Sequence, residues 1–288
     1  MKVGVFLKLI ANQERRAKRV DEVVALAVRA ELLGYDSVWV MDHLFTDRPG
    51  IRVPVHDPMQ LLAAIAARTE RVQLGALVLC GPFRLPVQLA RESATLQEAS
   101  GGRYICGLGA GWNQPEFDAT GIPFDHLVSR LQRQVEEYKR LLDEPGLIPA
   151  GDRPPLWIGA SKPRMLRLVA RVADGWNVAW EGENPARWIQ LADALRSALR
   201  EAGRDERTMT FSAGIMAVVA EGEEADRYRQ LQSDVACACG PPEILAAMLR
   251  RYADAGCDHA ILTLSPNLSM DLDAQMIEPM AEVLPLLR

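Results

Sequence analysis

The sequence predicts a (β/α)8 TIM barrel. Three observations carry the prediction: eight short, almost continuously apolar runs, a helix-periodic segment after each, and a length of 288 residues, close to the roughly 250 typical of such barrels. Near-continuous apolar runs suit parallel strands buried on both faces, because a sheet with one wet face alternates instead. Strands alternating with helices through right-handed crossovers close most simply into a barrel, although an open doubly wound sheet is also allowed. No stretch rich in Pro, Gly or Ser separates two halves, so residues 1–288 read as a single domain.

The first run, VGVFLK (3–8), is followed by a stripe of Val20, Val23, Val24, Ala27 and Ala30 that Gly34 ends. SVWVMD (37–42) precedes a helix opened by Asp57-Pro58, and QLGALVLC (73–80) a helix closed by Gly101-Gly102. YICGLG (104–109) is paired with a helix over 130–144, PLWIGA (155–160) with 163–173, and GWNVAW (175–180) with 184–202. FSAGIMAVVA (211–220) leads through a short segment, 221–240, to a helix at 241–255, and HAILTLS (259–265) to one at 273–287.

Composition bounds the function. Hydrophobic residues make up 49% and charged residues 25%, and 33 basic residues are intermixed with 38 acidic ones for a net charge of -5. Such a chain buries a large core and offers no electrostatic footprint for nucleic acid or an anionic membrane, so a small-molecule partner is expected. MKVGVFLKLI reads as a first strand rather than a signal peptide, and a cytoplasmic location is expected. Five cysteines without a C-x-x-C pair and four histidines without ligand spacing indicate neither a disulfide frame nor a metal.

Barrel active sites lie at the C-terminal strand ends, so the loops there are the place to look for chemistry. Three stretches stand out. In GLGAGW, Gly107 to Trp112, the match to a dinucleotide fingerprint fails because position 112 is Trp and the next helix is expected only near residue 130. The glycines then mean close backbone approach, either to packed neighbours or to a flat ligand. In MDHLF (41–45), Asp42 and His43 are adjacent, so their side chains diverge and at most one enters the mouth. His43 is a candidate acid-base group, while Asp42 either shares that task or caps a neighbouring loop. In WIGASKPR (157–164), Pro163 suits a first helical turn, and Gly159, Ala160, Ser161 and Lys162 form either a phosphate seat or a plain capped turn.

Taken together, the sequence resembles the luciferase-like monooxygenase superfamily, and within it the branch of coenzyme F-420 (deazaflavin)-dependent oxidoreductases. The resemblance is carried by GYDSVWVMDHLF (34–45), the block 67–124, PPLWIGASKPRMLRLVARVADGWN (154–177) and GPPEILAAMLRRYADAGCDHAILTL (240–264). It implies the barrel already reached, with a flat flavin or deazaflavin ring in its mouth. His43 and Asp42 would border the redox carbon, with His43 exchanging the proton. Leu77-Val78 would be the bulge supporting one ring face, a place where the family often has a cis peptide bond. Gly109, Ala110, Gly111, Trp112 and Asn113 would wall the cofactor, and Gly159, Ala160, Ser161 and Lys162 would seat its phosphate.

The implied reaction is hydride transfer between coenzyme F-420 and a small organic substrate. FMN is the alternative cofactor, which would make the chain a monooxygenase fed by a partner reductase; a nicotinamide dehydrogenase and a noncatalytic cofactor or ligand carrier are the remaining readings. The short segment after Val219 favours coenzyme F-420, because it leaves room for that cofactor's longer anionic tail. Trp112 stands where some deazaflavin dehydrogenases place a catalytic Glu, which argues against their sugar-phosphate chemistry. A homodimer is expected from the resemblance and from Trp188, Ile189, Leu191, Leu195 and Leu199, which exceed one apolar stripe.

Overall fold

The computed structural model describes residues 1–11, 16–48, 51–149, 151–231, 237–267 and 270–288. Eight parallel strands close into one barrel: β1 (Lys2–Leu7), β2 (Ser37–Val40), β3 (Gln73–Ala76), β4 (Tyr104–Gly109), β5 (Leu156–Gly159), β6 (Gly175–Glu181), β7 (Thr210–Val219) and β8 (His259–Thr263). Each pairs with its neighbours in sequence. Closure comes from β8, whose His259 to Thr263 run beside Lys2 to Phe6 of β1. The register continues through Gly4 opposite Ser37, Ser37 opposite Gln73, and Leu74 opposite Tyr104.

The helices between strands are α1 (Val20–Leu33), α2 (Pro58–Ala66), α3 (Pro86–Ala99), α4 (Gln114–Thr120), α5 (Leu127–Asp143), α6 (Pro163–Val172), α7 (Ala186–Glu201), α8 (Gly222–Gln230), α9 (Pro242–Asp254) and α10 (Asp273–Ala281). Their ends follow the local chemistry. Gly34 ends α1 at φ 91°, a left-handed geometry that glycine adopts without a Cβ clash. The Asp57 carboxylate caps α2 by accepting from Gln60 N at 3.0 Å.

The barrel interior is filled by matching large rings to glycines. Phe6, Trp39, Ile105, Trp157 and Ile261, from five different strands, form one buried cluster. A Cβ at Gly75 would lie 2.6 Å from the Trp39 ring, and one at Gly175 only 2.3 Å from that of Trp157. Trp39 and Trp157 then stack with centroids 5.1 Å apart. Beneath them, Ser37 Oγ joins Trp39 Nε1 and His259 Nε2, each at 2.7 Å. Burial pushes the His259 imidazole down to about 3, so it stays neutral and serves the barrel floor. Glycines inside strands thus make room for tryptophans.

The structure departs from the sequence reading in three places. Residues 221–240 are more than a loop, because α8 occupies part of the segment and Ala238–Gly240 extends the sheet beside Ala217 to Val219 of β7. Of the apolar residues of α7, Trp188, Leu195 and Leu199 are fully buried within the chain, Trp188 lying near Trp176 and Tyr252, so these three provide no dimer face, while Ile189 and Leu191 are half-buried. Finally, α4 starts at Gln114, where no helix was expected before residue 130. The mismatch of Trp112 therefore carries the argument against a dinucleotide fingerprint alone. No helix among the described residues is long and apolar enough to cross a membrane.

Candidate active site

At the C-terminal end of β2 the chain turns outward and Asp42 and His43 separate, as adjacent residues leaving a strand do. Asp42 is 3% exposed in its side chain and accepts from Cys80 N at 2.6 Å. It also forms a two-pronged ion pair with the buried Arg84: Arg84 Nη1 donates to Oδ2 and Nη2 to Oδ1 at 3.1 Å. Asp57 lies 3.5 Å from the same guanidinium. Both Asp42 oxygens are engaged, which corrects the expectation that it acts as an acid beside His43. It ties the β2 and β3 ends together instead.

His43 takes the opposite direction. Its side chain is 24% exposed and its Nδ1 lies 3.2 and 3.1 Å from the two oxygens of Glu116, which is 3% exposed. Glu116 sits in the first turn of α4 and also accepts from Leu44 N at 2.6 Å. Burial pushes its carboxyl up, but the hydrogen bond and charge of His43, the Leu44 amide and the Asn113 side chain outweigh this and hold it below the ordinary range. An ionised carboxylate can only accept, so His43 Nδ1 carries a proton, and it is Nε2 that exchanges one. A base oriented by a buried carboxylate is the result.

The sequence reading did not single out Glu116. The signal was present: Pro115 early and Gly121 just after Thr120 are a helix start and stop, but the helix has only seven residues and little apolar periodicity.

Trp112, from the loop after β4, meets His43 edge to face with centroids 5.6 Å apart and is itself 74% exposed. Leu77-Val78 follows β3, and its peptide bond is cis, as the resemblance implied; Ala179-Trp180 is also cis, which was not foreseen. The glycines of GLGAG have protein neighbours. A Cβ at Gly107 would meet Ala76 O at 2.2 Å, one at Gly109 would meet Val78 Cγ2 at 2.5 Å, and one at Gly111 would meet the Phe117 ring at 2.7 Å. Of the two readings left open by the sequence, packed neighbours account for the glycines themselves. Ala110 and Asn113, half-buried, continue the same wall.

Gly159, Ala160, Ser161 and Lys162 lead from β5 into α6. Lys162 occupies the N-cap position and no side chain caps the helix, so the capping role expected of Ser161 or Lys162 is not filled by either. Ala160 is anchored by its own amide to Asn177 O at 3.0 Å and by its carbonyl to Trp176 Nε1 at 2.8 Å. The first-turn amides of α6 thus have no side-chain acceptor, a donor arrangement suited to an anion.

Lys8 is not a mouth cation. It is buried, and its Nζ donates to Asn267 O at 2.8 Å and to Met270 O, fastening the loop after β8. A groove of about 520 Å³ between α2 and α3, bordered by Met59, Ala63, Val87 and Leu96, is formed by neither the His43 loop nor the α6 start.

The family model for luciferase-like monooxygenases matches residues 1–236. Similar proteins include an F-420-dependent glucose-6-phosphate dehydrogenase of Nakamurella multipartita, 34% identical over 211 residues, or 64% of this chain and 59% of that one. An F-420-dependent hydroxymycolic acid dehydrogenase of Mycobacterium tuberculosis is 29% identical over 250 residues, 78% of this chain and 66% of that one. The chain therefore spans less than two thirds of the length of these relatives. A solved F-420-dependent secondary alcohol dehydrogenase, in complex with an F-420-acetone adduct, superposes with a TM-score of 0.81 at 19% identity, covering 100% of this chain and 99% of that one. With the family model spanning most of the barrel just described, the chain belongs to the luciferase-like monooxygenase family.

Proposed function

We propose that this chain is an oxidoreductase that transfers a hydride between coenzyme F-420 and a small organic substrate, with His43 exchanging the accompanying proton. The observation that carries the reading is the His43–Glu116 pair, a partly exposed imidazole oriented by a buried carboxylate at the C-terminal rim. The deazaflavin dependence named for the relatives supports the choice of cofactor.

The residues present fit such a group. The uncapped start of α6, with Gly159, Ala160, Ser161 and Lys162, suits its phosphate. Leu77 and Val78, half-buried beside the β4 end, and the wall Gly109, Ala110, Gly111, Trp112 and Asn113 suit a flat ring. When bound, a deazaflavin supplies a carbon that accepts or returns a hydride. The chain's own part is acid-base: Glu116 holds the Nδ1 proton of His43, and Nε2 takes a hydroxyl proton or gives it back. Asp42 is a positioning residue, keeping the His43 loop attached to Cys80 and Arg84.

Five free and buried cysteines support a cytoplasmic enzyme. The α2–α3 groove mixes apolar Met59, Ala63, Val87, Leu96 and Ala99 with Gln60, Gln88, Arg91, Glu92 and Thr95, a composition that supports a homodimer through that face. Titrating the apo protein with coenzyme F-420 and with FMN tests the cofactor. The proposal expects submicromolar deazaflavin binding and a His43→Ala variant that keeps it while losing about 10²–10⁴-fold in turnover; tight FMN binding without deazaflavin binding, or unchanged turnover in the variant, overturns it.

A further inference from the structure

We infer that the substrate taken at His43 is an uncharged secondary alcohol or ketone with an apolar substituent, recognised by Trp112, and not a phosphorylated sugar. The inference rests on the hydride-transfer reading above and adds the substrate class to it.

Electrostatics argue first. A phosphomonoester carries nearly two negative charges at neutral pH and needs a desolvated cation or a fork of donors. The loop that bears Trp112, residues 110–126, contains no Lys or Arg and carries Glu116, Asp118 and Asp125. The cations of the neighbouring loops, among the described residues, are already committed. Arg84 is paired with Asp42 and Asp57. Lys8 donates to two main-chain carbonyls, and Lys18 to Asp271 at 2.9 Å and Asp273 at 3.1 Å. Arg52 is bound to Asp47 at 3.0 Å and lies 3.7 Å over the Phe45 ring. Turning any buried one of these to a substrate phosphate would strand a carboxylate or carbonyl without its partner. Lys162, with the α6 start, belongs to the seat assigned to the cofactor. A dianion at His43 would meet the Glu116 carboxylate, with no uncommitted cation beside it among these residues.

Apolar recognition argues second. Tryptophan is on average a strongly buried residue, yet Trp112 is 74% exposed while its edge is fixed against His43. Its support is rigid: Phe117 fills the space under Gly111 and packs on Phe83 at 4.8 Å and on the half-exposed Phe124 at 5.1 Å. A large exposed ring fixed edge to face against the His43 imidazole is a surface for an apolar substituent. In the oxidative direction the carbinol C–H bond breaks, its hydrogen leaving with both electrons for the oxidised deazaflavin. The hydroxyl proton passes to His43 Nε2, the oxygen lone pair becomes the C=O bond, and ketone and reduced deazaflavin are the products.

The test compares 1-phenylethanol, 2-propanol and glucose 6-phosphate with the coenzyme F-420-loaded protein, alongside cofactor affinity by fluorescence quenching and alcohol binding by saturation-transfer NMR. The expected result is a kcat/KM for 1-phenylethanol about 100-fold or more above that for glucose 6-phosphate. In Trp112→Ala, the ratio of 1-phenylethanol to 2-propanol should fall about tenfold, with weaker 1-phenylethanol saturation transfer. Taking this ratio within one loaded variant cancels any change in cofactor affinity. A preference for glucose 6-phosphate, or an alcohol ratio that Trp112→Ala leaves unchanged, with the deazaflavin bound, overturns this inference and leaves hydride transfer standing. Absence of deazaflavin binding overturns both.

Discussion

Replacing Glu116 by Gln removes one charge and almost no volume from the His43 site. Oxygen Oε1 already accepts from Leu44 N at 2.6 Å, so the Gln carbonyl belongs there and its amide nitrogen takes the place of Oε2, 3.1 Å from His43 Nδ1. That nitrogen donates. An imidazole that accepts from it at Nδ1 carries its proton on Nε2, the wrong tautomer for a base facing the substrate, in competition with the tautomer that donates to the carbonyl at the Oε1 place, 3.2 Å from Nδ1. Turnover in the alcohol-oxidising direction should fall by about 10²–10⁴, the range that a positioned acid-base group supplies.

The fold should suffer less. Hydrogen bonds to a charged group contribute about 1.5–3 kcal/mol, and for a chain of this size each kcal/mol moves Tm by about 2–4 °C. A drop of roughly 3–12 °C is therefore expected. Steady-state reduction of coenzyme F-420 followed by absorbance, cofactor affinity by fluorescence quenching and calorimetry measure the three quantities separately. Glu116→Asp keeps the charge and should recover part of the turnover. If Glu116→Gln turns over within about threefold of the parent while binding cofactor normally, the tautomer argument is wrong.

Other variants separate packing from chemistry. Asp42→Asn leaves the buried Arg84 poorly paired and should cost about 3–5 kcal/mol in urea denaturation, with a smaller turnover loss than His43→Ala once the fold is stabilised by cofactor. Gly109→Ala places a Cβ 2.5 Å from Val78 Cγ2 and should destabilise by about 1–3 kcal/mol; Val78→Ala in the same chain should recover part of that cost, and additive losses in the double-mutant cycle would refute the packing role. Glu181, 3% exposed, is pushed up to about 7 by burial, only partly opposed by Arg187, which is half in water. A carboxyl raised in the folded state stabilises fully below its unfolded value near 4.5 and loses that contribution as pH rises through 7. Glu181→Gln should match the parent at pH 4 and exceed it by about 3 kcal/mol at pH 8, measured by denaturation at both pH values.

The strands and long helices were legible in the sequence because burial on both faces leaves a local signature. A parallel strand such as SVWV must be apolar at nearly every position, and the Val20–Leu33 segment must be apolar along one face. Helix punctuation is local as well, and Gly34, Asp57-Pro58 and Pro163 fell where the backbone needed them. His43 was visible through its place at a strand end. The seven residues of α4 left too few apolar positions to show a period.

Tertiary structure decided the partners, since a partner lies a fold away rather than a few residues away. Asp42 and His43 look equivalent in MDHLF, but Arg84 is 42 positions distant and Glu116 is 73 from His43, and only barrel closure brings each pair together. The same holds for the glycines of GLGAG, whose small size answers to Val78 and Phe117, and for Trp188 of α7, which packs near Trp176 and Tyr252. Periodicity records whether a position is buried; which group buries it, and whether a carboxylate ends on a guanidinium or an imidazole, depends on contacts between strands and loops that share no local pattern.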